Sequence, residues 1–97
     1  MDSNFINNKT ENRFELHIDG KIAVINYILT DEGTMCLVHT EVPESLEGKG
    51  YGKTIVEKAL NYIKHHHYSL APLCRFVSSY VTKHPEWNAI LDEDYNV

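Results

Sequence analysis

Gly48, Gly50 and Gly52 alternate with Lys49, Tyr51 and Lys53 directly ahead of an amphipathic run. The absent side chains let main chain approach a ligand closely, and two ammonium groups stand beside it. If a helix begins there, unpaired backbone N–H groups at its positive end add to that attraction. Such a stretch suits a diphosphate. Nucleophilic and acid–base side chains lie on either side of it: His39 and Glu41 before, Cys74 and Tyr80 after. His65-His66-His67 invites a metal, but consecutive helical positions diverge by about 100° and cannot converge on one ion. Imidazoles capping a helix C-terminus are expected instead, with no metal site.

Two familiar phosphate loops fit poorly. The dinucleotide fingerprint needs G-x-G-x-x-G with an acid about 20 residues on, whereas these glycines run G-x-G-x-G and no acid occurs between Glu57 and Glu86. The triphosphate loop matches at Gly52-Lys53-Thr54, but its first glycine would fall on Glu47.

The elements that would position these residues follow from periodicity. Phe14-Glu15-Leu16-His17-Ile18 alternates with period two, Asp19-Gly20 is a hairpin signal, and residues 21–29 are rich in β-branched side chains. A second turn at Asp31-Glu32-Gly33 leads into a third strand over residues 35–42. Ile22 to Ile25 and Met35 to Val38 are apolar at successive positions, so both faces of these strands are expected to be covered. Pro43 ends the strand, and 44–50 form the loop. From Tyr51 the period becomes helical, with Ile55, Val56, Ala59, Leu60 and Ile63 on one side and Lys53, Glu57, Lys58 and Lys64 on the other. A short strand over 68–71, a second helix over 75–83 and a final helical turn around Trp87, Ile90 and Leu91 complete the order. The expected fold is α+β: a mostly antiparallel sheet with a βαβ crossover beginning at the glycine loop, then a second helix and a short C-terminal one.

Glu47-Gly48-Lys49-Gly50-Tyr51-Gly52 resembles the (Q/R)-x-x-G-x-(G/A) loop of the GNAT superfamily of N-acetyltransferases, in the same place between a strand and an amphipathic helix. His39-Thr40-Glu41-Val42-Pro43, then Pro72-Leu73-Cys74-Arg75-Phe76-Val77, Tyr80 and His84-Pro85-Glu86 resemble, in order, the compact single-domain branch of that superfamily. The likeness covers about residues 14–91 and departs at Glu47, where Gln or Arg is usual. A carboxylate near a diphosphate is unfavourable unless it faces solvent or pairs with Lys49 or Lys53.

The resemblance implies acetyl-coenzyme A as cofactor and an amine as acceptor. Backbone groups of Thr40, Glu41 and Val42 would meet the pantetheine arm, and Glu47, Gly48, Lys49, Gly50, Tyr51, Gly52 and Lys53 would hold the pyrophosphate. Cys74 would stand near the end of the pantetheine, as acyl acceptor or sulfur contact, with Arg75 or a helix N-terminus favouring its thiolate. Tyr80 would protonate the leaving thiolate, and His39 and Glu41 would serve as base. The alternative is a non-catalytic module that binds or senses acyl-coenzyme A.

Composition sets the remaining bounds. Ninety-seven residues make one domain, expected over 13–97 behind a loose, Asn-rich arm at 1–12. A formal net charge of −5 argues against nucleic acid, and no stretch reaches the roughly 20 apolar residues of a membrane span. Two separated cysteines, Cys36 and Cys74, are expected as free thiols, and without a legible signal peptide a cytoplasmic location is expected.

Overall fold

The computed structural model describes residues 4–95. Five strands form one sheet in the order β1 (Asn4–Asn8), β2 (Arg13–Ile18), β3 (Lys21–Leu29), β4 (Thr34–Glu41) and β5 (Ser69–Pro72). The first four pair antiparallel, whereas β5 lies parallel to β4. A parallel pair requires a crossover, supplied by α1 (Tyr51–His65). Helix α2 (Arg75–Lys83) and a 3-10 segment, Pro85–Ile90, follow β5. The expected α+β architecture is therefore found, with its crossover at the β4–β5 end of the sheet. Between β2 and β3 the chain turns through Asp19 and Gly20, both at positive φ (50° and 78°), as a two-residue hairpin turn requires.

Helix α1 buries Ile55, Val56, Ala59, Leu60 and Ile63 in one stripe. Each of its larger aliphatic side chains contributes about 1.5–3 kcal/mol by leaving water. Val77 and Val81 of α2 join the same cluster, which packs on Phe14, Leu16, Ile25, Leu37 and Leu70 of the sheet. The helix ends where the Nδ1–H groups of His65 and His66 donate to the carbonyls of Asn61 and Tyr62, at 2.7 and 2.9 Å. His66 also stacks on Tyr62, with ring centroids 3.8 Å apart. These two histidines do the capping expected of them.

Two expectations are corrected. Asn4–Asn8, placed in a loose arm, is an edge strand. Phe5 stacks on Phe14, Asn7 Nδ2 donates to the Tyr62 hydroxyl at 2.9 Å, and Tyr27 donates to Asn7 Oδ1 at 2.7 Å. Tertiary partners supply what low strand propensity withholds. The rest of the expected arm includes 1–3, which lie outside the described residues.

The second correction concerns burial. The helices cover one face of the sheet only, and Ile22, Ile28 and Val38 on the other are 40, 58 and 38% exposed. Consecutive apolar residues in β3 and β4 therefore do not report two covered faces here. One carboxylate, Glu15, is nonetheless buried on the open side, 4% exposed. It accepts from Asn8 Nδ2 (2.9 Å), Arg13 Nε (2.7 Å) and His17 Nε2 (2.8 Å), and these bonds lower its pKa to about 2.

Candidate functional site

The glycine loop is held by its neighbours. Leu46 is buried at the end of a single 3-10 turn, Glu44–Leu46, and the Glu47 N–H closes that turn on Glu44 O at 3.2 Å. Gly48 and Gly50 then take φ of +80° and +84°, conformations costing an L side chain about 1 kcal/mol or more. Gly50 is the N-cap of α1, and no side chain caps the helix. The first helical bond runs from Thr54 N to Gly50 O at 3.1 Å. The N–H groups of Tyr51, Gly52 and Lys53 thus have no hydrogen-bond partner among the described residues, and no acid occupies the first turn.

These amides open into a cleft of about 450 Å³ between the β4 end and the start of α2. Thr40, Val42 and Leu46 form one wall, the loop residues Glu47, Gly48 and Gly50 to Lys53 the floor, and Phe76 the opposite wall. Lys49 is exposed in the same loop. Phe76 was not among the sequence candidates. Gly52 explains its place: a Cβ there would fall 2.8 Å from Phe76 Cζ and 3.5 Å from Val42 Cγ2. Since Gly52 has no positive φ, its lack of a side chain serves close approach by the ring rather than backbone freedom. The available signal was an aromatic beside, rather than on, the Val77–Val81 apolar stripe; in the fold Phe76 is 46% accessible.

Beside this cleft β4 and β5 part. Their ladder ends at Leu37↔Pro72, while β4 continues to Glu41. Beyond it the Cys74 N–H donates to Leu37 O at 2.9 Å, and Thr40 Oγ1 meets Cys74 Sγ at 3.3 Å. Cys74, half-buried, is the N-cap of α2. Main-chain groups of β4 past Leu37 therefore face the cleft unpaired by β5.

A bulge sets which β4 side chains share this space. Asn26 pairs with His39 but Tyr27 pairs with Leu37, so Val38 is an extra residue on β4. The alternation shifts by one. Thr40, opposite the core residue Ile25, stays on the helix side with Leu37, whereas His39 and Glu41 turn to the open face. There His39 Nε2 lies 3.6 Å from Glu41 Oε1, both side chains more than half exposed. The candidate residues thus form two groups, Thr40 with Cys74 and His39 with Glu41, on opposite sides of one strand.

Tyr80 does not line the cleft. Six residues beyond Cys74, it lies about 9 Å further along α2, stacked on His84 with centroids 4.1 Å apart. Burial, reinforced by the carboxylates of Glu57 and Glu86, raises its phenol pKa, so it keeps its proton at neutral pH. Glu47 is exposed, and no ion pair joins it to Lys49 or Lys53 among the described residues. Both cysteines are free.

The residues present fit a pyrophosphate through the first-turn amides, a first helical turn without acids and two adjacent lysines, while Glu47, which also lines the cleft, is exposed to solvent.

Comparison with known proteins agrees with the fold. Residues 13–90 match the family described as GCN5-related N-acetyl-transferase. Over 63 residues the chain is 29% identical to Protein NATD1 of Xenopus tropicalis. That stretch is 65% of this chain and 58% of the relative, so less than two thirds of the relative's length is spanned. The fold is similar to the NMR solution structure of a GCN5-like protein from Staphylococcus aureus, with a TM-score of 0.71 at 21% identity. That likeness covers 92% of this chain and 87% of the other.

Proposed function

The chain belongs to the GCN5-related N-acetyltransferase family, and from that premise we propose that it binds acetyl-coenzyme A in the glycine-loop cleft and passes the acetyl group to an amine. The observation that carries this reading is the continuity of the site. Free amides of Tyr51, Gly52 and Lys53 open into the cleft, and the cleft runs along β4 to Thr40, which touches Cys74.

The coenzyme would supply an activated acetyl group as a thioester. The chain's own residues do the rest. Amides at the α1 N-terminus and the ammonium groups of Lys49 and Lys53 neutralise phosphate charge. Main-chain groups of Thr40, Glu41 and Val42 pair with the pantetheine amides. Cys74 sulfur then bonds to the acetyl carbon, the thioester C–S bond breaks, and the proton of the Cys74 thiol ends on the departing sulfur. Attack by the amine on the Cys74 thioester forms the C–N bond and releases Cys74, which recovers a proton as the nitrogen loses one. His39 and Glu41, on the uncovered side of the sheet and across β4 from Cys74, would take protons from the incoming amine through water.

Titration of coenzyme A into isotopically labelled protein tests the assignment. Backbone amides of residues 40–53 are expected to shift. No shift, or shifts confined elsewhere, would overturn it.

The exposure of Ile22, Ile28 and Val38 favours a second reading, a binding or sensing module, because no element among the described residues covers them to shape an acceptor pocket. Release of coenzyme A that depends on added amine selects the enzyme. Binding without such release selects the module.

A further inference from the structure

The bulge that turns His39 and Glu41 to the open face of the sheet also decides what lies beside them. Asn26 of β3 pairs with His39, and past the extra residue Val38 the pairing resumes, with Ile28 opposite Cys36. Side chains alternate along a strand, so Ile28 shares the face of Asn26 and His39 and is the diagonal neighbour of His39, roughly 7–8 Å away. Ile28 is 58% exposed and Val38 38%. An apolar step therefore adjoins the His39–Glu41 pair. On the far side of Asn26 stands a cation, Arg13, whose Nε is bonded to Glu15 at 2.7 Å. Further along β4, Glu32, Asp92 and Asp94 line a pocket of about 240 Å³ together with Thr34 and Cys36.

We propose that the acceptor is a primary monoamine with an apolar chain or ring, its nitrogen at His39 and Glu41 and its substituent laid over Val38 and Ile28. An amine with a second ammonium group at that distance is disfavoured. The inference rests on the acetyl transfer proposed above and names its acceptor class. The Glu41 carboxylate attracts the ammonium form, and a chain of five or six carbons then covers the interval to Ile28. A methyl group ending there removes water from isoleucine, whereas an ammonium group loses hydration against the same side chain without a partner. Ile28 stays partly wet, and the acids of the neighbouring pocket attract any cation near it. The expected discrimination is therefore about tenfold, the scale of one contact on a half-open apolar surface.

Hexylamine and 1,5-diaminopentane have equal numbers of heavy atoms and differ at one end, methyl against ammonium. Release of coenzyme A from acetyl-coenzyme A, followed with each amine, tests the proposal on the wild type and on Ile28→Glu. Wild type should use hexylamine with a kcat/KM about tenfold higher, the difference lying in KM. Ile28 is exposed, so Ile28→Glu is expected to fold, which circular dichroism checks. That variant should favour the diamine, because its carboxylate gives the second ammonium a partner. Equal use of the two amines by the wild type, or a preference for the diamine, would overturn the acceptor class and leave acetyl transfer standing, whether or not the variant folds. An unchanged preference in folded Ile28→Glu would do the same, as would turnover of other amines but of neither of these. No amine-dependent release at all would overturn the transfer and the acceptor class together.

Discussion

Thr40 and Cys74 meet where β4 and β5 part, with hydroxyl oxygen and thiol sulfur 3.3 Å apart. This contact joins the strand that would carry the pantetheine to the helix N-cap that would receive the acetyl group. Incubation with acetyl-coenzyme A is expected to add one acetyl group to the wild type by intact mass and none to Cys74→Ala. Thr40→Val keeps the β-branched shape, so stability should change by no more than about 1 kcal/mol, while acetyl loading slows severalfold. An unmodified wild type would remove the carrier step, and unchanged loading in Thr40→Val would remove Thr40 from it.

Gly52 separates packing from backbone strain. An added Cβ meets Phe76 Cζ at 2.8 Å, yet the ring is partly exposed and can swing away. Replacing glycine in a helix gains up to about 1 kcal/mol, so Gly52→Ala is expected to unfold in urea at the wild-type midpoint or slightly above it. Affinity for coenzyme A should fall about tenfold as the displaced ring disturbs the cleft wall. Wild-type affinity in Gly52→Ala would show that Phe76 has no fixed place in binding.

Gly50 behaves oppositely. At φ +84° a side chain is strained although nothing lies within 4 Å of its Cβ position. Gly50→Ala should lose about 1–2 kcal/mol of stability and also weaken coenzyme binding, because the first-turn amides move with the cap. Chemical denaturation together with the amide titration reads both effects.

Glu15 predicts an acid-sensitive sheet. Its folded pKa of about 2 lies below the ordinary glutamate value of 4.5, so its contribution is complete above about pH 4.5 and is lost as pH falls toward 2. Glu15→Gln, which removes the charge from three hydrogen bonds, should cost about 2 kcal/mol at pH 7. The gap between wild type and variant in urea unfolding should hold between pH 7 and 5 and narrow below pH 4. A constant gap down to pH 3 would contradict the assignment.

Much of this protein was legible as sequence because its signals are local. Helical spacing from Ile55 to Ile63, the turn at Asp19-Gly20, and glycines 48 and 50 at positive φ each follow from neighbouring residues and backbone sterics. The bounds of α2 were equally readable, between the segment at Pro72 and Pro85. The glycine loop itself needed only its order after a strand and before a helix.

What tertiary structure decided depends on partners distant in the chain. Asn4–Asn8 becomes a strand only because Tyr62, Tyr27 and Glu15 answer its asparagines. Phe76 enters the site because Gly52, 24 residues earlier, leaves room for its ring. The bulge at Val38 divides Thr40 and Cys74 from His39 and Glu41, and a bulge is a mismatch between two strands rather than a property of either sequence. Strand alternation fixes that neighbours point apart, but only pairing with β3 fixes which of them meets the cleft.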